Sequence, residues 1–203
     1  MSESILDRPD PLPDGEDFSD KVLAELEALE LVAEDGEPME SDWHRKCMNL
    51  LIGQVDRHFR GREDYYVGGN MFIYFSTEQA KNRDFRGPDF FFVGGHTTRH
   101  PMREYWTVWD EASRLPDVII ELTSPSTAED DRGVKFETYR DQMRVPNYFI
   151  YDRLAGTLEG WRLERRRYVP LQPDAHGRLY SDELELWLGP WDGEYEGDLA
   201  KWL

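Results

Sequence analysis

The sequence is short of cysteine, of long apolar runs, of clustered zinc ligands and of positive charge, and each shortage narrows what the chain can do. A single cysteine, Cys47, forbids an intramolecular disulfide and fits a reducing compartment. Its helical surroundings read as those of a small buried hydrophobe. No apolar run approaches the roughly 18 residues of a membrane-spanning helix. The acidic, proline-spaced start lacks the basic-then-apolar order of a secretory signal. A cytoplasmic protein with no membrane association is therefore expected. Without a histidine-cysteine cluster, zinc is a poor choice of ion. There is no internal repeat or low-complexity segment.

The scarcity of base is uneven. The chain carries 24 Lys and Arg against 42 Asp and Glu, a formal charge of -18, which is a poor global match to a phosphate backbone. Residues 1–40 hold 14 acids and 2 bases and residues 181–203 hold 7 acids and 1 base, whereas residues 41–180 hold 21 of each. The acidity lies at the ends. Local basic groups in the neutral centre (Arg83 and Arg86; Arg99, His100 and Arg103; Arg162, Arg165, Arg166 and Arg167) are compatible with a polyanion or with ordinary solvated surface.

At 203 residues with 39% hydrophobic content, one domain with a substantial core is expected. Residues 1–18 lack apolar periodicity and read as an acidic, Pro-rich arm. Residues 19–180 read as the folded domain, and residues 181–203 as an acidic, Trp-rich extension packed on it. Val22, Leu23, Leu26 and Leu29 follow helical spacing, with Ser19 available as an N-cap. A longer helix is expected from Asp42 to Arg60, where Trp43, Cys47, Leu50, Leu51, Val55 and Phe59 draw one apolar stripe. Beyond Gly61 short aromatic and β-branched runs read as strands: Tyr65–Val67, Met71–Phe75, Phe90–Val93, Tyr105–Trp109 and Val118–Leu122. A helix over Glu129–Met143, a strand over Tyr148–Tyr151 and a hairpin of Thr157–Leu163 with Tyr168–Leu171 follow. The runs Phe90–Val93 and Val118–Ile120 do not alternate, which implies strands covered on both faces and a mixed α/β architecture.

Two acids adjoin these buried runs. Asp89 stands between Gly87-Pro88 and Phe90, and Glu121 closes Val118-Ile119-Ile120. An ionised carboxylate there needs a partner or a metal. If the two strands are neighbours, the side chains on one face could clamp one cation; Mg²⁺ takes one or two carboxylates plus waters and substrate phosphate. After the turn Ser124-Pro125-Ser126, Asp131, Lys135 and Tyr139 recur every four residues on one helical face. Lys135 could point to the metal site, to hold the scissile phosphate or orient the attacking water; equally, Asp131 and Lys135 could be an exposed i,i+4 pair. Glu121 could be a strand-end residue in water, and Pro88-Asp89 a simple turn.

At Gly87-Pro88-Asp89, Pro116-Asp117-Val118-Ile119-Ile120-Glu121-Leu122-Thr123-Ser124-Pro125-Ser126-Thr127, Asp131, Lys135, Tyr139 and Val145-Pro146-Asn147-Tyr148-Phe149-Ile150-Tyr151-Asp152, the sequence resembles the Uma-two family of restriction endonucleases within the PD-(D/E)xK superfamily. Asp35-Gly36-Glu37 and His44 also look like the family's opening. The resemblance implies a restriction-endonuclease-like core, a mixed β-sheet flanked by helices, and Mg²⁺-dependent (or Mn²⁺-dependent) hydrolysis of DNA phosphodiester bonds. It implies Asp89 and Glu121 as catalytic acids and metal ligands, and Lys135 as the catalytic amine. One departure stands out: the superfamily pattern places a lysine two residues after the second acid, where this chain has Thr123. A further acid near the first core helix is also implied, with Glu37, Glu40 and Asp42 as candidates. Cutting both strands of a duplex is simplest for a homodimer. The competing readings are a non-catalytic binding module on a nuclease-like scaffold, and a self-associating scaffold working through the Trp-rich tail.

Overall fold

Strand pairing explains why the apolar runs do not alternate. The computed structural model describes residues 41–82, 86–95 and 102–203, with Ala24, Ala28, Leu29 and Leu31 before them. The expected N-terminal arm, most of the first expected helix, Glu37, Glu40, Arg83, Arg99 and His100 lie outside the described residues. The chain divides into two units, Met1–Leu31 and Val32–Leu203, and the sheet with its helices belongs to the second.

Helix α1 (Asp42–His58) starts at an N-cap, Ser41, whose hydroxyl accepts from the His44 N–H, and buries Cys47, Met48, Leu50, Leu51 and Val55. Burial pushes the Cys47 thiol up to about 12, so it stays neutral inside the core. The main sheet has six strands: β1 (Tyr65–Gly68), β3 (Phe90–Gly94), β5 (Val118–Thr123), β6 (Asn147–Asp152), β7 (Thr157–Glu164) and β8 (Arg167–Pro170). They lie side by side in that order, and only β5 and β6 run parallel. A parallel pair needs a crossover, which the helical segment between β5 and β6 supplies. Both sheet faces are covered. Phe90, Phe92, Val118, Ile120, Phe149 and Tyr151 pack under α1, whereas Phe91, Val93, Ile119, Tyr148 and Ile150 face Tyr139, Met143 and Trp106. With no water on either side, alternation has no polar face to express.

Three expectations are corrected. The runs at Met71–Phe75 and Tyr105–Trp109 contribute only β2 (Ile73–Tyr74) and β4 (Trp106–Thr107), paired with each other in parallel and outside the main sheet. Left-handed Ala112 and Ser113 turn the chain soon after β4. A short helix, α2 (Thr77–Lys81), follows β2. The helix expected over Glu129–Met143 comes in three pieces: α3 (Ala128–Arg132), α4 (Val134–Glu137) and a π-helical turn, Thr138–Gln142. Gly133 forms the break, where a Cβ would lie 2.9 Å from the Glu129 carbonyl oxygen. Third, Arg103 is no surface base: its guanidinium meets Glu111 through Nε–Oε1 (2.6 Å) and Nη2–Oε2 (3.1 Å), over the rings of Tyr66 and Trp106.

The C-terminal tail forms two hairpins, β9 (Leu179–Ser181) with β10 (Leu186–Leu188) and β11 (Trp191–Tyr195) with β12 (Asp198–Trp202). Trp202 is fully buried and stacks on Trp43 at 6.2 Å, while Trp187 and Trp191 remain exposed. Among the described residues no helix is long and apolar enough to cross a membrane.

Candidate active site

The register of β3 against β5 brings the two acids together. Phe90 pairs with Ile120 and Phe91 with Ile119, so continuing the ladder by one residue sets Asp89 opposite Glu121. By strand alternation both side chains point to the face of Phe91 and Ile119, beneath the crossover helices. Like charges directly across a ladder repel, and the surroundings answer that repulsion with donors.

Glu121 is fully buried, which excludes a strand-end residue in water. Its Oε1 accepts from the Tyr139 hydroxyl at 2.8 Å, and its Oε2 lies 3.2 Å from Lys135 Nζ. The Asp89 backbone N–H also reaches Oε2, at 3.5 Å. Lys135 makes a second ion pair with Asp131 Oδ1 at 2.8 Å, and Asp131 is itself buried. The pair at i,i+4 is therefore interior, with the ammonium bridging two carboxylates; only one-fifth of the Lys135 side chain is exposed. Asp89 is gripped at both oxygens. Oδ2 accepts from the Leu122 N–H at 2.7 Å, and Oδ1 lies 2.7 Å from His44 Nε2. The backbone of Asp89 is fixed from behind as well: a Cβ on Gly69 would fall 2.2 Å from the Asp89 carbonyl oxygen and 2.8 Å from Met48 Sδ, so only glycine fits there.

Electrostatics follow from this crowding. Burial is the main force raising the Glu121 carboxyl; Lys135 opposes it, and the neighbouring Asp89 and Asp131 add to it, so that it stands at about 8. Burial works against the Lys135 ammonium, but Glu121 and Asp131 outweigh it and keep the amine charged well above the ordinary lysine range. Burial, then Glu121, raises the Tyr139 phenol, which stays a donor. Three acidic side chains thus crowd around one ammonium and one imidazole at a partly open site.

Of the expected site residues, Asp89, Glu121 and Lys135 converge. Asp42 does not join them: it is exposed at the start of α1 and pairs with Arg45 and Lys46. Thr123 lies on the same strand face as Glu121, but its hydroxyl approaches Thr127 Oγ1 at 3.4 Å, and the amine nearest Glu121 comes from α4. His44 is an addition that its sequence position alone did not single out as a site residue.

Comparison with curated proteins gives no match. Among solved structures, the chain resembles one described as "a putative nuclease belonging to DUF820" from Anabaena variabilis, with a TM-score of 0.54 and 15% identity over 77% of this chain and 85% of that one. At that identity the likeness establishes a shared fold. A family model described as "Putative restriction endonuclease" matches residues 16–191, most of the sequence, and the chain belongs to that family, Uma2.

Proposed function

We propose that this protein is a metal-dependent endonuclease that hydrolyses DNA phosphodiester bonds, with Asp89, Glu121 and Lys135 as its working residues. The observation that carries the reading is the placement of two carboxylates directly across the β3–β5 register, with an ammonium 3.2 Å from one of them. It is the arrangement expected of the PD-(D/E)xK superfamily, with the lysine delivered from the crossover helix.

The donor set suits a hard divalent ion. Asp89 and Glu121 offer carboxylate oxygens; burial first, and the neighbouring Asp89 and Asp131 after it, raise Glu121, and a bound cation would offset both. Among the described residues no three His, Cys, Asp or Glu side chains converge as a ready-made cage. Two carboxylates completed by water and substrate phosphate match Mg²⁺ or Mn²⁺ better than zinc. Such an ion, when bound, polarises the scissile phosphate and lowers the pKa of an attacking water. Glu121 and Asp89 hold the site in register, and Tyr139 keeps the Glu121 carboxylate oriented. Lys135 orients the nucleophilic water and offsets charge that develops on the phosphate. A soluble, cytoplasmic setting and a dimeric assembly for double-strand cutting complete the proposal.

The test pairs calorimetric titration of Mg²⁺ and Mn²⁺ with plasmid nicking, on wild type and the Asp89→Ala/Glu121→Ala double variant. Binding and nicking that disappear together support the reading. Metal-independent ligand binding without turnover favours the non-catalytic module, for which the absence of lysine at Thr123 is the motivating observation.

A further inference from the structure

His44 faces the site from the opposite side to the crossover helices, and neither the acids nor the lysine accounts for it. Its backbone is anchored in the first turn of α1 by the Ser41 cap, with N–H to Oγ at 3.2 Å. Its side chain is 12% exposed, so most of this polar group is out of water and needs a partner. The partner is Asp89 Oδ1, 2.7 Å from Nε2. Asp89 already accepts from Leu122 N–H on its other oxygen. A carboxylate has only acceptors to offer, so Nε2 must carry the hydrogen. The imidazole is braced in turn. Trp43 meets it edge-on at 6.5 Å, stacks on Trp202 and donates its indole N–H to the Lys201 carbonyl at 2.9 Å.

We propose that His44 is a positioning residue: by donating Nε2–H to Asp89 Oδ1 it fixes the carboxylate plane, so that the remaining lone pairs of Asp89 meet an incoming divalent cation. The inference rests on the metal-dependent reading of the site. Held between a strand N–H and a helix imidazole, Asp89 is oriented before the ion arrives, and the rotational freedom that a loose carboxylate would lose on binding is already gone. His44 itself touches neither the cation nor the substrate.

His44→Phe keeps a ring of similar size and deletes the donor, and His44→Gln returns an N–H on a different frame. In calorimetry with Mn²⁺ alone, His44→Phe is expected to bind about 10- to 100-fold more weakly than wild type, with His44→Gln recovering most of the difference. Plasmid nicking by His44→Phe should return towards the wild-type rate as Mn²⁺ is raised, because the defect lies in holding the ion. A merely packed ring would not produce that rescue. Should phenylalanine perturb folding, judged by melting, His44→Asn repeats the deletion with an amide too short to reach Asp89. Equal Mn²⁺ affinity in wild type and the donor-deleted variant overturns the role of His44 and leaves the metal site standing. Wild type that binds no Mn²⁺ overturns the metal-dependent reading, and the positioning role with it.

Discussion

Two ion pairs are buried on the same side of the main sheet, and they differ in what they leave over. Arg103 meets Glu111 with two hydrogen bonds between a planar fork and a carboxylate, and the rings of Tyr66 and Trp106 cover the guanidinium. Among the described residues this guanidinium is matched by one carboxylate, in a geometry that adds specificity as well as energy. At the other location a single ammonium on Lys135 serves Glu121 and Asp131, with Asp89 close enough to raise Glu121 further. A buried pair that balances acts as structure. A buried cluster that does not balance holds a demand for positive charge, and such perturbed groups concentrate at functional sites.

The sharpest way to break this contrast is to remove each cation in turn. Lys135→Met should lower nicking by about 10²- to 10⁴-fold if the amine acts in proton transfer or water orientation. In EDTA it should also cost about 3–5 kcal/mol of stability, because buried carboxylates lose their partner. Arg103→Met should cost a similar amount and leave Mn²⁺ affinity unchanged. On the metal-dependent reading, Mg²⁺ should raise the melting temperature of the Lys135 variant by more than that of wild type, whereas the Arg103 variant, with its carboxylate site intact, should gain only as much as wild type. If both respond to Mg²⁺ alike, the two clusters share one character and the contrast between them fails.

A smaller effect concerns pH. The Glu121 carboxyl stands at about 8 in the folded protein against 4.5 ordinarily, so between those values the folded state holds a proton that the unfolded chain has released. The resulting stability is present below about pH 4.5 and is lost as pH rises to about 8. Melting of metal-free protein in EDTA should therefore show decreasing stability from pH 5 to 8, and Glu121→Gln should flatten that slope. Metal binding must displace the same proton, so Mg²⁺ affinity should rise by up to about tenfold per pH unit below 8. Calorimetry in buffers of differing ionisation enthalpy would detect the released proton. Smallest of all, Tyr139→Phe removes one hydrogen bond, about 1 kcal/mol, and with it a contact that lowers the Glu121 carboxyl. Its nicking profile should move to higher pH with little change in maximal rate.

The acids were legible because a carboxylate ending Val118-Ile119-Ile120 and another opening Phe90-Phe91-Phe92 conflict with their neighbours. Their contact was not, since the β3–β5 register joins residues 32 apart and no local pattern encodes it. The same holds for β2 and β4: each run has strand composition, but a partner outside the main sheet decides how little of it pairs. Spacing placed Asp131, Lys135 and Tyr139 on one face, and they do share it, yet it could not reveal that Asp131 is interior or that Gly133 interrupts the helix. Trp202 is buried while Trp187 and Trp191 are exposed, even though Trp191 stands directly opposite Trp202 in the β11–β12 ladder, a distinction invisible in composition. His44 reads in sequence as part of the family's opening, with no role attached; only the arrival of Asp89 gives it a task.

The π-helical turn also sets how the chain tolerates change in length. Met143 N–H reaches back five residues to the Thr138 carbonyl, so this stretch holds one residue more than α-helical winding would; left-handed Arg144 then ends it, with Val145 N–H closing on the Tyr139 carbonyl. Upstream, Lys135 and Tyr139 are tied to Glu121; downstream, Met143 and Val145 are sealed into the core. Deleting a residue here would turn one end against the other by about 100°. The protein would then forfeit either its interior packing or its grip on the buried acid. The segment is a fixed-length tether between the hydrophobic interior and the charged cluster, and it accepts substitutions of side chains more readily than any change in its count.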